Sequence, residues 1–516
     1  MRAQDFAENP WKEATCHEAY SSSFLHMRPA PEYACGEVVL ASLYRNVGFS
    51  SRVTEGKVPG LGRQLLRQLH KGKVPAGASP LLSVDSWHGV LQGALRTPKQ
   101  PNQTAKRFLQ ICPLVPDAAI YSMSARLSAN SWNPGQLAGR ALAFGHPSRA
   151  AADAAWEQLF IAMSVDPDDD IWARFIDTEF RSWRQTQLAQ EWREVQGLPT
   201  SEVIDAWREG APPIPATQYA KDLALILKLK PILTRRQWIS MLESVLRLGT
   251  ASHILWLCHA NATCLQILDS VLDGGKPPSV DELHNRLAVT TPFLRYGQLA
   301  TRTLKDSVRG FIVGRACLNL ILWNCSEMAE GGCADRKLPL EPMASTSALS
   351  AFATYLASNR KHFPIDSYRE QVHTAIESDP RVVACKRGIA SNVVEFLGHV
   401  LRHRQTSEQG MDSYDQGYYL RKRGGHSAAP WVVGIGPVSA LTLVHCCTRA
   451  ARGPRTVTDL CFHLENYGLE VTAQDIDETD LGVTLRNLGL VLDSPDAEGG
   501  MVLVSPFAHC AGEGCR

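Results

Sequence analysis

The 516 residues hold 53 Lys and Arg against 52 Asp and Glu, so overall charge selects no partner, and any nucleic-acid or membrane surface has to be a local patch. An apolar fraction of 44% is enough for a sizeable core, and the length suits roughly two to four domains. Residues 1–10 contain acidic side chains and no apolar run, which argues against a secretory leader; the 14 scattered cysteines are then expected to stay reduced, as small core residues of a cytoplasmic protein.

Residues 1–120 are the least regular region. Pro29, Pro59, Pro80, Pro101 and Pro116 interrupt it, leaving short helices over 61–70 and 83–95, and residues 38–44 fit a strand or a short helix equally. Residues 121–210 form a helical region. Ser148 starts a helix containing Trp156, Leu159, Phe160 and Met163, which stops at Asp166-Pro167. Asp168, Asp169 and Asp170 then stand at the positive N-terminal end of the next helix, whose Trp172, Phe175, Ile176, Phe180 and Trp183 make a packing stripe. The acidic run lacks the alternating ligands and the glycine of a calcium-binding loop. Thr200 or Ser201 caps a short helix, and residues 211–215, with three prolines, are a linker.

Residues 217–330 are the most apolar long stretch. Leu223 and Ile226, then Trp238, Met241, Leu242, Val245 and Leu246, recur at steps of three and four, which places them on one helical face. Over 254–272 and 311–323 the apolar residues run nearly all round, so these segments are expected to be buried on every side. His259, Asn261 and Gln266 interrupt the first of them, and no window reaches the roughly 18 uninterrupted apolar residues of a transmembrane helix, so no membrane partner is expected. Ser279 and Glu282 make a capping box. After a loop at 331–342, helices over 345–358, 366–377 and 381–404 form a further region, 343–404. Residues 405–436 are a basic linker; the polar, Gly- and Arg-rich part from Arg402 to Gly425 is expected to be partly mobile.

The last eighty or so residues, 437–516, change character. An apolar helix over 438–451 is followed by a turn at Gly453-Pro454, a second helix over 456–467 stopped by Gly468, a third helix over 473–488, and two short strands, 490–492 and 501–504, around a turn-rich loop. Three helices followed by a β-hairpin resemble the winged-helix family over about residues 437–505, on the pattern Thr456-Val457 with Leu460, Tyr467-Gly468-Leu469, the helix ending at Leu488 and the hairpin. In a DNA-reading member the third helix enters the major groove. Here that helix carries Asp475, Asp477, Glu478 and Asp480 against Arg486 alone, a surface that phosphates repel. The resemblance therefore implies a module used for protein contact or domain docking.

The candidate nucleic-acid surface lies just upstream. Arg402, Arg404, Arg421, Lys422 and Arg423, with Tyr418 and Tyr419 beside them, combine cations for phosphates with aromatic faces for bases. Glu395, His399 and His403 fall at i, i+4 and i+8 and on a helix share one face, the spacing of metal ligands, although Val400 occupies the place where a zincin has its glutamate. Cys258, His259 and Cys264, or Cys461 and His463, are close pairs that do not form zinc knuckles. A phosphate-binding GxxxxGK[ST] loop, a dinucleotide turn and a GxSxG elbow are all missing. The sequence is read as mainly α: a large helical body with a C-terminal winged-helix module, without cofactors or catalytic residues of its own. The expected role is that of a scaffold or adaptor subunit, working with other subunits of a bacterial complex that acts on DNA or RNA, as in DNA-modification or anti-phage defence systems. A stand-alone DNA-binding protein, and a metal-dependent enzyme built on Glu395, His399 and His403, are the alternatives.

Overall fold

The computed structural model describes residues 2–27, 36–50, 83, 112–122, 134–183, 189–195, 204–205, 207, 213–288, 291–332, 338–339, 341–403, 416–424, 426, 428–450, 453–492 and 501–507. The protein is mainly α. In chain order, the helices that build the core and the C-terminal end are α1 (Gly36–Val47), α2 (Pro134–Gly145), α3 (Arg149–Met163), α4 (Ile171–Trp183), α5 (Pro215–Leu227), α6 (Arg235–Leu272), α7 (Ala300–Glu330), α8 (Gly388–Leu401), α9 (Pro437–Arg449), α10 (Val457–Glu465), α11 (Ala473–Glu478) and α12 (Asp480–Asn487). The described strands are short: β1 (Phe49–Ser50), β2 (Ala189–Gln190), β3 (Leu294–Arg295), β4 (Leu420–Lys422), β5 (Trp431–Val433), β6 (Arg455–Thr456), β7 (Leu469–Glu470), β8 (Val491–Leu492) and β9 (Val502–Leu503).

α6, of 38 residues, and α7, of 31, form the centre. α6 begins at Thr234, whose hydroxyl accepts the Gln237 N–H while the Gln237 side chain accepts the Thr234 N–H, so two orphan donors are satisfied reciprocally. Ile254, Trp256, Leu257, Cys258, Cys264 and Leu268 on α6, and Phe311, Ile312, Leu318, Leu320 and Leu322 on α7, are all buried, as their all-round apolar pattern predicts. The two backbones come close at Gly314, where a Cβ would lie 2.8 Å from the Asn261 carbonyl. α5 packs on α6 and α2, α1 on α2, and α8 on α7, so the central pair is wrapped from several sides.

Charged side chains hold these layers together from inside. Arg235, at 1% exposure, donates to the Leu114, Ala162, Met163 and Ser164 carbonyls and the Tyr44 hydroxyl, and pairs with Asp169 at 3.3 Å. Lys230 bonds Asp166 at 2.5 Å and Asp169 at 3.3 Å. Asp170 caps α4, accepting the Trp172 and Ala173 N–H groups, and also takes the Arg235 N–H. The acidic run therefore serves as helix cap and ion-pair partner. Arg315 reaches the Pro10 carbonyl and Asn319 accepts the His17 N–H, which pins the N-terminal segment onto α7.

Several expectations are corrected or refined. Residues 38–44 belong to α1; the short apolar run could not distinguish helix from strand, and the helix wins by its length of 12 residues. The α4 stripe divides: Ile176 and Phe180 are buried, but Trp172 is 59% exposed. The third C-terminal helix breaks in two at Thr479, whose extended backbone ends α11 and whose hydroxyl caps α12 by accepting the Leu481 N–H. Of residues 405–436, expected as linker, the described ones at 416–424 and 428–436 are folded onto the body: β4 pairs antiparallel with β5, and Tyr419 is fully buried. The helices expected over 61–70 and 83–95 and the start of the one capped by Thr200 or Ser201 lie outside the described residues, as does Arg404. Among the described residues no helix is long and apolar enough to cross a membrane.

At the C-terminal end the order is α9, β6, α10, β7, α11, α12, β8, β9, and the sheet runs β6–β9–β8 with both pairs antiparallel. β7 leaves this unit and pairs parallel with β3 of the central region, Leu294 against Leu469 and Arg295 against Glu470.

Candidate functional site

Two neighbouring surfaces bear on the sequence expectations: a basic ribbon made by β4 and β5, and the acidic pair α11–α12, joined to it by Arg421 and Asp480. The ribbon starts at the end of α8. Arg402 takes an extended backbone there, which stops the helix. The carbonyls freed at that end are collected by buried Arg247, which donates from Nε to Val400 O at 2.6 Å and from Nη2 to Arg402 O at 2.9 Å. The chain then meets β4: His403 N–H donates to Leu420 O, and Tyr419 N–H to Leu401 O.

In the ribbon Lys422 stands directly opposite Trp431. The Arg402 guanidinium carbon lies 4.9 Å, and the Lys422 ammonium 5.6 Å, from the Trp431 ring centre, within cation–π range. The Arg402 head also lies against Gly398, where a Cβ would come within 3.0 Å of it. Arg421 points the other way; its stem rests on Gly434 and its head pairs with Asp480 of α12 at 2.5 Å. Arg423 and His426 follow as exposed residues, with the Arg423 N–H on Pro430 O.

The structure thus brings Arg402, Arg421, Lys422 and Arg423 together on one short ribbon, and it separates the two tyrosines. Tyr418 is half-buried, edge-on to His403 at 4.8 Å. Tyr419 turns inward: its hydroxyl bonds Ser244 Oγ at 2.8 Å, Ser244 donates to Ser439 Oγ at 3.0 Å, and burial pushes the phenol up to about 12. Its ring offers no face to a base. The aromatic among the cations is Trp431, which the sequence reading passed over.

The acidic pair is less repulsive than its composition suggests. Asp475 caps α11, closing a capping box with Thr472; Asp477 pairs with Arg486 at 3.1 Å, and Asp480 is the partner of Arg421. Glu478 is left exposed among them.

A buried polar hub joins this end to the body. Asp222 of α5, at 0% exposure, accepts from Gln218 Nε2, His463 Nε2 and the Tyr467 hydroxyl, each at 2.8 Å. The Gln218 amide also faces His463 Nδ1 at 3.5 Å. Asn466 completes the set by donating to Gln218 Oε1. Three donors around one carboxylate satisfy it without water, so the hub is a joint.

The Glu395, His399, His403 triplet does not assemble. α8 ends at Leu401, before His403, and Glu395 is exposed while His399 is half-buried. Among the described residues no group of three or more His, Cys, Asp or Glu is placed to hold a metal ion. The described cysteines are free thiols. Burial pushes Cys264, Cys317 and Cys447 up to about 12 and Cys16 and Cys461 to about 11, so they are protonated and poor nucleophiles at neutral pH. No protein-family model matches the chain, and no curated protein matches it.

Proposed function

We propose that the chain is a non-catalytic helical scaffold or adaptor subunit whose C-terminal end, a winged-helix module, serves for docking within a bacterial complex acting on nucleic acid, such as a DNA-modification or anti-phage defence assembly. The observation that carries this reading is the use of the buried ionisable groups. Asp222, Arg235, Arg247 and Arg315 each join segments far apart in sequence through buried hydrogen bonds, the work of struts. The order helix, strand, helix, strand, split helix, hairpin, with β6 beside β9, supports the winged-helix assignment. Its acidic α11–α12 pair favours a protein partner over phosphate.

Affinity purification of the tagged full chain at native expression, followed by mass spectrometry, tests the reading. A stoichiometric partner is expected, and Asp477→Lys with Glu478→Lys is expected to release it while leaving the circular dichroism spectrum unchanged. A chain recovered alone and monodisperse at native expression removes the scaffold. A second reading, direct contact with nucleic acid, is supported by the cations gathered around Trp431.

A further inference from the structure

On that second reading, we propose that the β4–β5 ribbon is a site for single-stranded nucleic acid, in which Trp431 supplies the stacking surface and Arg402, Lys422 and Arg423 the phosphate contacts. The inference begins with the register. Placing Lys422 opposite Trp431 fixes an ammonium beside an indole on one face of a two-stranded ribbon. Arg402 arrives from a different element and is held in place: its carbonyl is bonded by buried Arg247, and its head lies between the Gly398 backbone and the indole. A guanidinium ordered in this way loses little further entropy when a phosphate binds. Trp431 is itself half-buried in paired strand, so its ring is ordered before any ligand arrives.

The class of ligand follows from what the ribbon combines. Cations alone would serve any polyanion, including an acidic peptide. An indole set among them favours a chain that carries planar rings between its charges, because base–aromatic stacking is worth roughly 1–3 kcal/mol per base and needs the base unpaired. The neighbourhood works against a duplex. Asp477 and Glu478 stand on the adjoining α11 and Asp480 on α12 beside Arg421, so the basic track is bordered on one side by carboxylates. A second strand's phosphates would run over that border.

The test uses the intact full chain and three labelled polymers: an oligothymidylate, a mixed-sequence duplex of the same length, and poly-glutamate, each followed by fluorescence anisotropy across a salt series. The single strand is expected to bind most tightly. Trp431→Ala is expected to weaken it roughly 5- to 100-fold with little change in salt slope, since a stacking contact is lost and no phosphate contact. Arg423→Ala, at an exposed position, is expected to weaken it and to lower the slope by about 0.7, one phosphate contact on a single strand. Unchanged affinity in Trp431→Ala, or an unchanged slope in Arg423→Ala if the tryptophan variant does not fold, overturns the site. So does preference for the duplex or for poly-glutamate. Failure of the intact chain to bind either nucleic acid removes the second reading as well, whereas binding indifferent to Trp431 removes only this site.

Discussion

Arg235 lies inside the helical body, bonded to α1, to the end of α3, to Leu114 and to Asp169. Arg423 stands exposed just after β4, its backbone N–H on Pro430. The same side chain does opposite work in the two places. In the body a guanidinium is one of the few groups that can satisfy several orphan carbonyls at once, and it is held so that it cannot respond to anything outside. On the ribbon the guanidinium is available to a ligand and contributes little to the fold. The comparison teaches that charge in this molecule divides by region into struts and contacts, and that the division can be tested one residue at a time.

The largest effect is expected at the struts. Arg235→Ala strands several buried carbonyls and leaves Asp169 with Lys230 and the Asp166 N–H, and breaking such a buried set costs about 3–5 kcal/mol. Urea unfolding should show that loss, or the chain should fail to fold; a loss below about 1 kcal/mol would mean that the interior arginines are dispensable. Asp222→Ala comes next, at roughly 3 kcal/mol, because the Gln218, His463 and Tyr467 donors lose their acceptor inside the protein. Its effect should be regional. Limited proteolysis should cut first between the body and the C-terminal end, with the body still folded. Gly468→Ala strikes the same joint differently. Its φ of +73° suits glycine, and a Cβ there would overlap the Phe293 ring, so about 1–3 kcal/mol should be lost together with the β3–β7 pairing.

How much of this was legible in sequence depends on whether the signal was local. The central helices announced themselves because steps of three and four recur over some fifty residues, and burial on every side follows where the apolar residues run all round, over 254–272 and 311–323. Ser148, Asp170 and Ser279 were legible as helix starts from one turn of chain, and each accepts an N–H of the first turn. The hub could not be read. Asp222 and His463 are 241 residues apart, and nothing near Asp222 marks it as an acceptor for a distant imidazole. The ribbon failed for another reason: strands of three residues are too short to show a period, so Trp431 was never set opposite Lys422. The tyrosines hold the plainest lesson. Tyr419 is fully buried and Tyr418 half-buried, so the two do not face the same ligand, and adjacency in sequence could not tell them apart.

Acid should erode the body through its neutral histidines. Burial holds His253, stacked between Phe144 and Trp256, down to about 3, and His17 and His445 down to about 4. The unfolded chain takes up the proton near the ordinary value of about 6.5 and the folded chain does not, so stability is full above that pH and is lost as pH falls below it. For His253 the loss is roughly 2–3 kcal/mol between about pH 6 and 4. His253→Phe, which keeps a ring in the stack, should remove that part of the slope in urea midpoints measured across the range. An unchanged slope would place the acid sensitivity elsewhere.

The smallest effect is expected where the two regions meet, at Arg421 and Asp480. The pair is close, at 2.5 Å, but its side chains are 38% and 71% exposed, so solvent screens it and the coupling energy should be about 0–1 kcal/mol. A double-mutant cycle with Arg421→Ala and Asp480→Ala, run at low and high salt, measures it. A coupling that falls with salt and stays within that range places Arg421 with the contacts. A coupling of about 3 kcal/mol, insensitive to salt, would place it with Arg235 as a strut and would mean that the ribbon is fastened to α12 as firmly as the body is to itself. The distinction bears on ligand binding. A weak pair can open and lend Arg421 to a phosphate, so Asp480→Ala should strengthen binding of a single strand and raise its salt slope. A strong pair leaves Arg421 out of any contact, and the same substitution would cost stability without changing the slope.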